Sequence, residues 1–188
     1  MVKKKPNLDH ITSDYFRNIV SNYVNYLLAL DRFDVIGIIL FGSVARGEGN
    51  EQLEDLSDVD LLVIFKDHDL PEKYVKRVLL ESELMSEIDQ GVDALWWTLS
   101  ELYSALKIKL PLILDIIDEG IIIFDPKNVL KTARNILLQE LAEKKVEKLK
   151  DGSLWPLKNF GDKIFFKKKE SVLLKLENKL IIEIFISQ

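Results

Sequence analysis

The feature that most constrains this chain is a pair of apolar segments that bracket a Gly-Ser step and two aspartates. Residues 35–41 (VIGIILF) are continuously apolar and run directly into Gly42 and Ser43. Residues 59–65 (VDLLVIF) form the second segment. Short apolar runs of this length, bounded by polar residues, are typical of strands that are buried on both faces. We therefore expect two inner strands of one sheet.

Asp58, directly before the second segment, and Asp60, within it, form a carboxylate pair. Residues two apart on a strand project to the same side, at a separation of roughly 6–7 Å along the chain. Carboxylates this close repel each other, so they share a proton or bind a cation. Carboxylate oxygens are ligands that suit Mg²⁺. The pair therefore predicts a magnesium site.

A third acid, Asp93, lies within residues 92–98 (VDALWWT), which have the composition of a strand. A carboxylate inside an apolar strand needs a reason, because burying it unpaired is costly. We therefore predict that Asp93 completes a two-metal site with Asp58 and Asp60. Other acids compete for this role from loop or helix-end positions: Glu54, Asp55 and Asp89. The alternative role for Asp58 is structural, as a strand-entry acid paired with a lysine.

The Gly-Ser step after the first strand predicts a phosphate cradle. Gly42 permits close approach of the backbone to a ligand. The residues that follow begin a short helix whose free N–H groups attract anions, and Ser43 adds a hydroxyl donor. Arg46 has two interpretations of equal weight. It neutralises triphosphate charge, or it forms a salt bridge with Glu48 or Glu51.

Together, residues 42–47 (GSVARG) and 57–63 (SDVDLLV) resemble the signature of the polymerase β-like nucleotidyltransferases, and most closely the minimal nucleotidyltransferase branch. The resemblance covers about residues 10–125. One departure is that 14 residues separate Ser43 from Asp58, a few more than is usual in that branch. The extra residues lengthen a loop near the site and bear on the shape of the substrate.

This resemblance implies an enzyme that uses a nucleoside triphosphate. It would transfer a nucleoside monophosphate, most simply AMP from ATP, to an acceptor hydroxyl and release pyrophosphate. The implied nucleotide-binding residues are Gly42, Ser43 and Arg46, and the implied ligands of two Mg²⁺ ions are Asp58, Asp60 and Asp93. Asp93 would also accept the proton of the acceptor.

A second function implied by the resemblance is that of an antitoxin. Proteins of the minimal branch often bind HEPN-type toxins and in some cases modify them with AMP, so the implied partner is a separate HEPN-type protein. A third interpretation is a nucleotide-binding relic without activity. The acceptor, the base of the nucleotide, the oligomeric state (a homodimer among the options) and nucleic-acid binding are left open by the sequence.

The predicted fold is α+β of the α/β type, with a small mixed sheet of about four strands flanked by helices. Residues 1–125 would form the nucleotidyltransferase core, and residues 126–188 a C-terminal helix with a basic, aromatic arm. Asp125 and Pro126 predict the start of that helix. The other predicted elements are helices over 13–30, 71–89, 100–107 and 111–118, a strand over 121–124, and the C-terminal helix to about 149. In the helix over 71–89 the predicted inward side chains are Val75, Val78, Leu79, Leu84 and Ile88.

Composition limits the remaining possibilities. The chain contains no cysteine, which excludes disulfides, a thiolate nucleophile and cysteine-based zinc sites. Residues 1–125 carry a net charge of −11 and residues 126–188 a net charge of +6. The basic part would bind phosphates or nucleic acid, or it would dock on the acidic body of the protein itself. Without a visible signal peptide or an apolar run of about 18 residues, we expect a soluble, cytoplasmic protein.

Overall fold

The computed structural model describes residues 5–52, 57–86, 88 and 91–143. These residues belong to one compact unit, Met1–Trp155. The predicted arm lies outside the described residues, as do the competing acids Glu54, Asp55 and Asp89. The predicted end of the last helix near residue 149 also lies outside them.

One four-stranded mixed sheet forms the centre of the described region. Its strands are β1 (Val35–Phe41), β2 (Val59–Phe65), β3 (Val92–Thr98) and β4 (Ile121–Phe124), in the spatial order β3-β2-β1-β4. Strand β1 is antiparallel to β2 and to β4, whereas β2 and β3 are parallel. All four strands occupy the segments predicted from the sequence, and the predicted fold class is confirmed.

Helices cover both faces of the sheet, which explains why the inner strands are apolar on both sides. Ile38 and Leu40 pack with the helix Asp14–Ala29 in one core cluster. The buried residues of the helices Leu99–Ile108 and Pro111–Glu119 lie outside that cluster. The described helices are α1 (Asp14–Ala29), α2 (Gly42–Ala45), α3 (Tyr74–Met85), α4 (Leu99–Ile108), α5 (Pro111–Glu119) and α6 (Val129–Glu143). In the described part of the chain, no helix has the length and apolar character needed to cross a membrane.

Helix α3 corrects two predictions. It spans Tyr74–Met85 rather than 71–89, and its inner face is turned away from the predicted one. Val75, Val78 and Leu79 are exposed, whereas Arg77 is buried. The reason is that Arg77 donates hydrogen bonds to the carbonyl oxygen of Pro71 and to both carboxylate oxygens of Glu101, at 2.7 and 2.8 Å. The predicted packing of Leu84 and Ile88 against the core is confirmed.

Helix α6 begins at Val129, so the prediction that Pro126 is its first residue is wrong. The Asp125 carboxylate does cap the helix, because it accepts hydrogen bonds from the N–H groups of Val129 and Lys131. Residues 126–128 form a turn between this cap and the helix. Helix α6 is held to the C-terminal end of α4 by the buried ammonium of Lys109, which donates to Glu140 at 2.8 Å.

Candidate active site at one edge of the sheet

Three chain segments that carry the predicted site residues meet at one edge of the sheet. The C-terminal end of β1 lies beside the N-terminal end of β2 because these strands are antiparallel, and β3 begins there because it is parallel to β2. The register pairs Phe41 with Asp60 across the first junction and Asp60 with Asp93 across the second. Neighbouring strands are about 4.8 Å apart. The topology therefore brings Gly42, Asp60 and Asp93 together.

The turn after β1 is built around contact between Gly42 and Asp60. Gly42 has φ of +71°, a conformation that residues with side chains adopt at a cost. A Cβ atom at Gly42 would also overlap the Oδ2 atom of Asp60. Only glycine meets both conditions. The sequence analysis predicted that Gly42 lets the backbone approach a ligand closely. In the structure, Gly42 also lets the backbone approach Asp60, the central aspartate of the site.

The three predicted acids influence one another electrostatically. Burial raises the pKa of Asp60, and the negative charges of Asp93 and Asp58 raise it further, while Arg46 acts in the opposite direction. Asp60 is half-buried, and Asp58 and Asp93 are exposed. Negative charge is therefore concentrated at this edge without enough positive charge from the protein to balance it. Such a position favours the binding of a cation.

The fit of a metal ion depends on the orientation of these carboxylates. Among the residues that the structure describes, no three acidic or histidine side chains are arranged to hold one ion. Exposed side chains change rotamer rapidly, and like charges turn away from each other. Asp58 and Asp93 are exposed and can turn toward Asp60 without disturbing the core. The donor set, all hard oxygen atoms on one sheet edge, fits Mg²⁺ chemically.

Arg46 lies at the C-terminal end of α2, close to the acids. Its Nε atom donates to Glu48 at 2.7 Å, and its Nη1 atom lies 3.5 Å from Glu119. The side chain is 43% exposed. The predicted salt bridge to Glu48 is therefore formed. Glu119, which the sequence analysis missed, reaches the same edge because it ends α5 just before β4, and no local sequence pattern indicates this.

The sequence analysis also missed Glu81, a half-buried acid on α3. The hydroxyl of Tyr23 lies 3.5 Å from Glu81 and accepts a hydrogen bond from Nε1 of Trp96 at 2.9 Å. Burial raises the pKa of Glu81 to about 7, against the lowering effect of Tyr23, and the charge of Asp93 adds to the increase. Glu81 lies four residues after Arg77 and therefore on the same face of α3. Placing the inner face of α3 correctly would have identified it.

A pocket of about 300 Å³ lies beside α2 and the loop that follows it. Residues of this loop form part of its wall, among them Gly47, Gly49 and Glu51. A Cβ atom at Gly49 would overlap the ring of Phe16, so the loop packs closely on α1 here. The described residues of this loop thus shape a cavity beside α2.

Comparison with protein families gives a match to the nucleotidyltransferase domain over residues 20–187. The chain belongs to the nucleotidyltransferase domain family. This nucleotidyltransferase is therefore an enzyme of nucleotidyl transfer, and the resemblance inferred from its two motifs is confirmed. The match continues well beyond residue 125, where the expected resemblance ended.

Comparison with solved structures gives a similarity to a mutant of the toxin-antitoxin pair MntA-HpeT. The two chains share 20% sequence identity, with a TM-score of 0.42, over 67% of the nucleotidyltransferase and 91% of the other chain. No curated protein matches the sequence significantly.

Proposed function

We propose that this nucleotidyltransferase transfers a nucleoside monophosphate, most simply AMP from ATP, to an acceptor hydroxyl and releases pyrophosphate. The observation that carries the proposal is the alignment of Asp60 with Asp93 across β2 and β3, beside the Gly42 turn. Transfer from a triphosphate requires a place for cations and a place for the phosphates. At this edge, the acids would provide the first and the turn would provide the second.

The triphosphate would lie against the turn after β1. Backbone close to Gly42 and the hydroxyl of Ser43 would donate hydrogen bonds to the β- and γ-phosphates. Arg46 would exchange its carboxylate partners for phosphate oxygens. This exchange costs little, because ion pairs between exposed side chains contribute only about 0–1 kcal/mol.

Asp58, Asp60 and Asp93 would hold divalent cations, two Mg²⁺ ions by the family resemblance. Bound there, such ions would activate the acceptor oxygen and stabilise the charge that develops on pyrophosphate. The role of Asp60 is to present a carboxylate whose position is fixed by contact with Gly42. Asp58 and Asp93, both exposed, would close on the site when it is loaded.

In the chemical step, the acceptor oxygen forms a bond with the α-phosphorus, and the bond from that phosphorus to the bridging oxygen of the β-phosphate breaks. Pyrophosphate leaves with the bonding electrons. The proton of the acceptor hydroxyl passes to the carboxylate of Asp93, which acts as general base. Asp93 lies on an outer strand of the described sheet and is exposed, so an acceptor can approach it from solvent.

The loop after α2 would influence the choice of acceptor, because it lines the pocket beside the turn. The acceptor classes that remain are a protein hydroxyl, a small alcohol such as an aminoglycoside, and an RNA end. Exchanging the loop residues that line the pocket should alter acceptor preference more than it alters affinity for the triphosphate.

Incubation with labelled ATP tests the proposal. The protein is mixed with Mg²⁺, ATP labelled at the α- or the γ-phosphate, and a set of proteins, aminoglycosides and RNAs. Label from the α-position, but not from the γ-position, should appear on one acceptor class, with release of pyrophosphate. Transfer of the γ-label would indicate a kinase instead. The assay is repeated with the other three nucleoside triphosphates, and the absence of transfer from all four to every acceptor class would contradict the proposal.

An antitoxin role with a HEPN-type partner stays a prediction from the family resemblance. Co-expression with the product of a neighbouring reading frame tests it. A toxin of this type should co-purify with the nucleotidyltransferase and be neutralised by it. Toxicity that is unchanged on co-expression would contradict this role.

A further inference from the structure

Two reciprocal hydrogen bonds join Asn50 and Ser57 across the loop between α2 and β2. The N–H group of Ser57 donates to the carbonyl oxygen of Asn50, and the N–H group of Asn50 donates to the hydroxyl oxygen of Ser57, each at 2.9 Å. We call this pair the loop clamp. Both of its residues are half-buried, and residues 51–56 lie between them in the chain.

The first side of the loop clamp is attached to the body of the protein. The N–H group of Glu48 donates to the carbonyl oxygen of Ser43 at 2.9 Å, which ties the loop to the turn after β1. Gly49 lies so close to the buried ring of Phe16 that a Cβ atom would be 2.7 Å from it. The position of Asn50 is therefore set by contacts on the N-terminal side of the loop.

The second side of the loop clamp adjoins Asp58. The residue after it, Val59, is fully buried, and its N–H group donates to the carbonyl oxygen of Gly91 at 2.7 Å. The backbone of Asp58 thus lies between two held residues, Ser57 and Val59. Because the Asp58 side chain is exposed, its reach toward Asp60 depends on where this backbone places it.

We propose that Ser57 is a positioning residue for Asp58 and acts through the loop clamp. Its hydroxyl and its N–H group hold the chain before β2 to Asn50, which keeps the Asp58 carboxylate within reach of a cation at Asp60. This inference rests on the proposed role of Asp58 as a ligand of divalent cations. Ser57 acts on the cation only through Asp58, because its own hydroxyl is engaged by Asn50.

The loop clamp also separates Asp58 from the middle of the loop. Of the 14 residues between Ser43 and Asp58, residues 51–56 lie beyond the loop clamp. The hydrogen bonds at Glu48 and at the loop clamp connect the turn to Asp58 without them. The free energy of closing a loop changes only slowly with its length. Changes within residues 51–56 should therefore leave Asp58 in place.

The Mg²⁺ requirement of ATP binding tests the proposal without an acceptor. Thermal melts at a fixed ATP concentration give the Mg²⁺ concentration at which half of the ATP-dependent stabilisation is reached. Ser57→Ala removes one of the two hydrogen bonds of the loop clamp, so this Mg²⁺ concentration should rise about fivefold. Ser57→Thr keeps the hydroxyl and should restore the wild-type value.

Thr98→Val is the matched control for the loss of a hydroxyl. Thr98 ends β3, whereas Asp93 lies near its start, and the Thr98 hydroxyl also accepts a hydrogen bond from a backbone N–H group, that of Glu101. This variant should lower the melting temperature but leave the Mg²⁺ requirement unchanged. Circular dichroism checks that each variant is folded.

A loop replacement tests the separation of Asp58 from the middle of the loop. Asn-Gly in place of residues 51–56 favours a two-residue hairpin turn, across which Asn50 and Ser57 can still bond. This variant should keep the wild-type Mg²⁺ requirement. A raised requirement would show that residues 51–56, rather than the loop clamp, position Asp58, and would overturn the proposal.

Two further results would overturn the role of Ser57 alone. One is the same Mg²⁺ requirement in Ser57→Ala and in the wild type, and the other is an equal rise in Ser57→Ala and Thr98→Val. A wild type that gains no stability from Mg²⁺ and ATP would instead contradict the proposed function, and the role of Ser57 with it.

Discussion

Two groups of acids lie close to β3, and they differ in what surrounds them. At the edge of the sheet, Asp58 and Asp93 are exposed, and their charges add to the effect of burial on Asp60. Around α3, by contrast, the acids have protein partners: Glu81 lies against Tyr23, and Glu101 receives two hydrogen bonds from Arg77. Acids with partners inside the fold stabilise it, whereas acids left to repel one another indicate a ligand.

Glu101 and Asp60 also differ in the direction of their pKa shifts, whereas burial raises the pKa of Glu81 as it does that of Asp60. Burial raises the pKa of Glu101, but hydrogen bonds from Arg77 and Thr98 outweigh it, and the net pKa is below the ordinary value. The pKa of Asp60 is raised, because its acidic neighbours add to the effect of burial. Replacing an acid of each group should therefore separate activity from stability.

The largest expected effect is the loss of nucleotidyl transfer in Asp60→Asn. The amide keeps the size of the side chain but removes the charge that would hold a divalent cation. We expect the loss of this charge to raise the activation free energy by several kcal/mol, which is about a 10³-fold loss of rate. The melting temperature should not fall, because the repulsion with Asp58 and Asp93 is relieved. Transfer of label from ATP labelled at the α-phosphate measures the rate, and a thermal melt measures the melting temperature.

Asp9→Asn serves as the control for charge alone, since Asp9 is an exposed acid outside the site. This variant should transfer AMP at the wild-type rate. Retention of wild-type activity by Asp60→Asn would show that the edge acids do not act as proposed.

Next in size is the effect of Arg77→Met on stability. Removal of Arg77 leaves Glu101 without its main partner. Because the Glu101 side chain is 43% exposed, water replaces part of what it loses, and we expect a cost of about 2 kcal/mol. Urea unfolding measures this loss. Asp14→Asn, which breaks the exposed pair with Arg17 and leaves the hydrogen bonds from Arg17 to the carbonyl oxygen of Ile11 in place, should cost no more than about 1 kcal/mol. Equal costs for the two variants would contradict a structural role for the Arg77 pair.

A matched pair of glycines tests the turn after β1. Gly42 and Gly47 both have positive φ, at +71° and +74°, so alanine at either should destabilise the fold by about 1 kcal/mol. Only at Gly42 would the new methyl group displace Asp60, because nothing lies near the Cβ position of Gly47. Gly42→Ala should therefore lose most of the thermal stabilisation by Mg²⁺ and ATP, whereas Gly47→Ala should keep it. Equal stabilisation of the two variants would contradict the proposed contact.

The smallest expected effect concerns Glu81. The pKa of Glu81 is about 7 in the folded protein, above its ordinary value of 4.5. Between these two pH values, the folded protein keeps a proton that the unfolded chain has already lost. Stability should thus fall as pH rises through this window, by on the order of 1 kcal/mol after allowance for solvent screening. Urea unfolding at pH 5 and pH 8 should show this decrease in the wild type. Glu81→Gln should lack the part of this decrease that comes from Glu81. Identical pH dependence of stability in the two proteins would contradict the raised pKa of Glu81.

The strands could be predicted from the sequence because each is a short apolar run between polar residues, and the edge site followed from Gly42 and the acids spaced along those runs. Helix α3 could not, because its rotation depends on Arg77 reaching Glu101, a contact across 24 residues of chain. Glu81 was missed for the same reason. Local patterns thus identified residues that the topology brings together at one edge of the sheet, whereas tertiary partners decide which apolar and charged residues are buried.

Thermal melting with Mg²⁺ and ATP tests the central claim most directly, because it does not depend on the acceptor. Ligands that bind the native state raise the melting temperature. We predict that ATP and Mg²⁺ together stabilise the wild type more than either does alone, and that this additional stabilisation is absent in Asp60→Asn. A flat response of the wild type, or equal stabilisation of both proteins, would contradict a site for metal and nucleotide at this edge of the sheet.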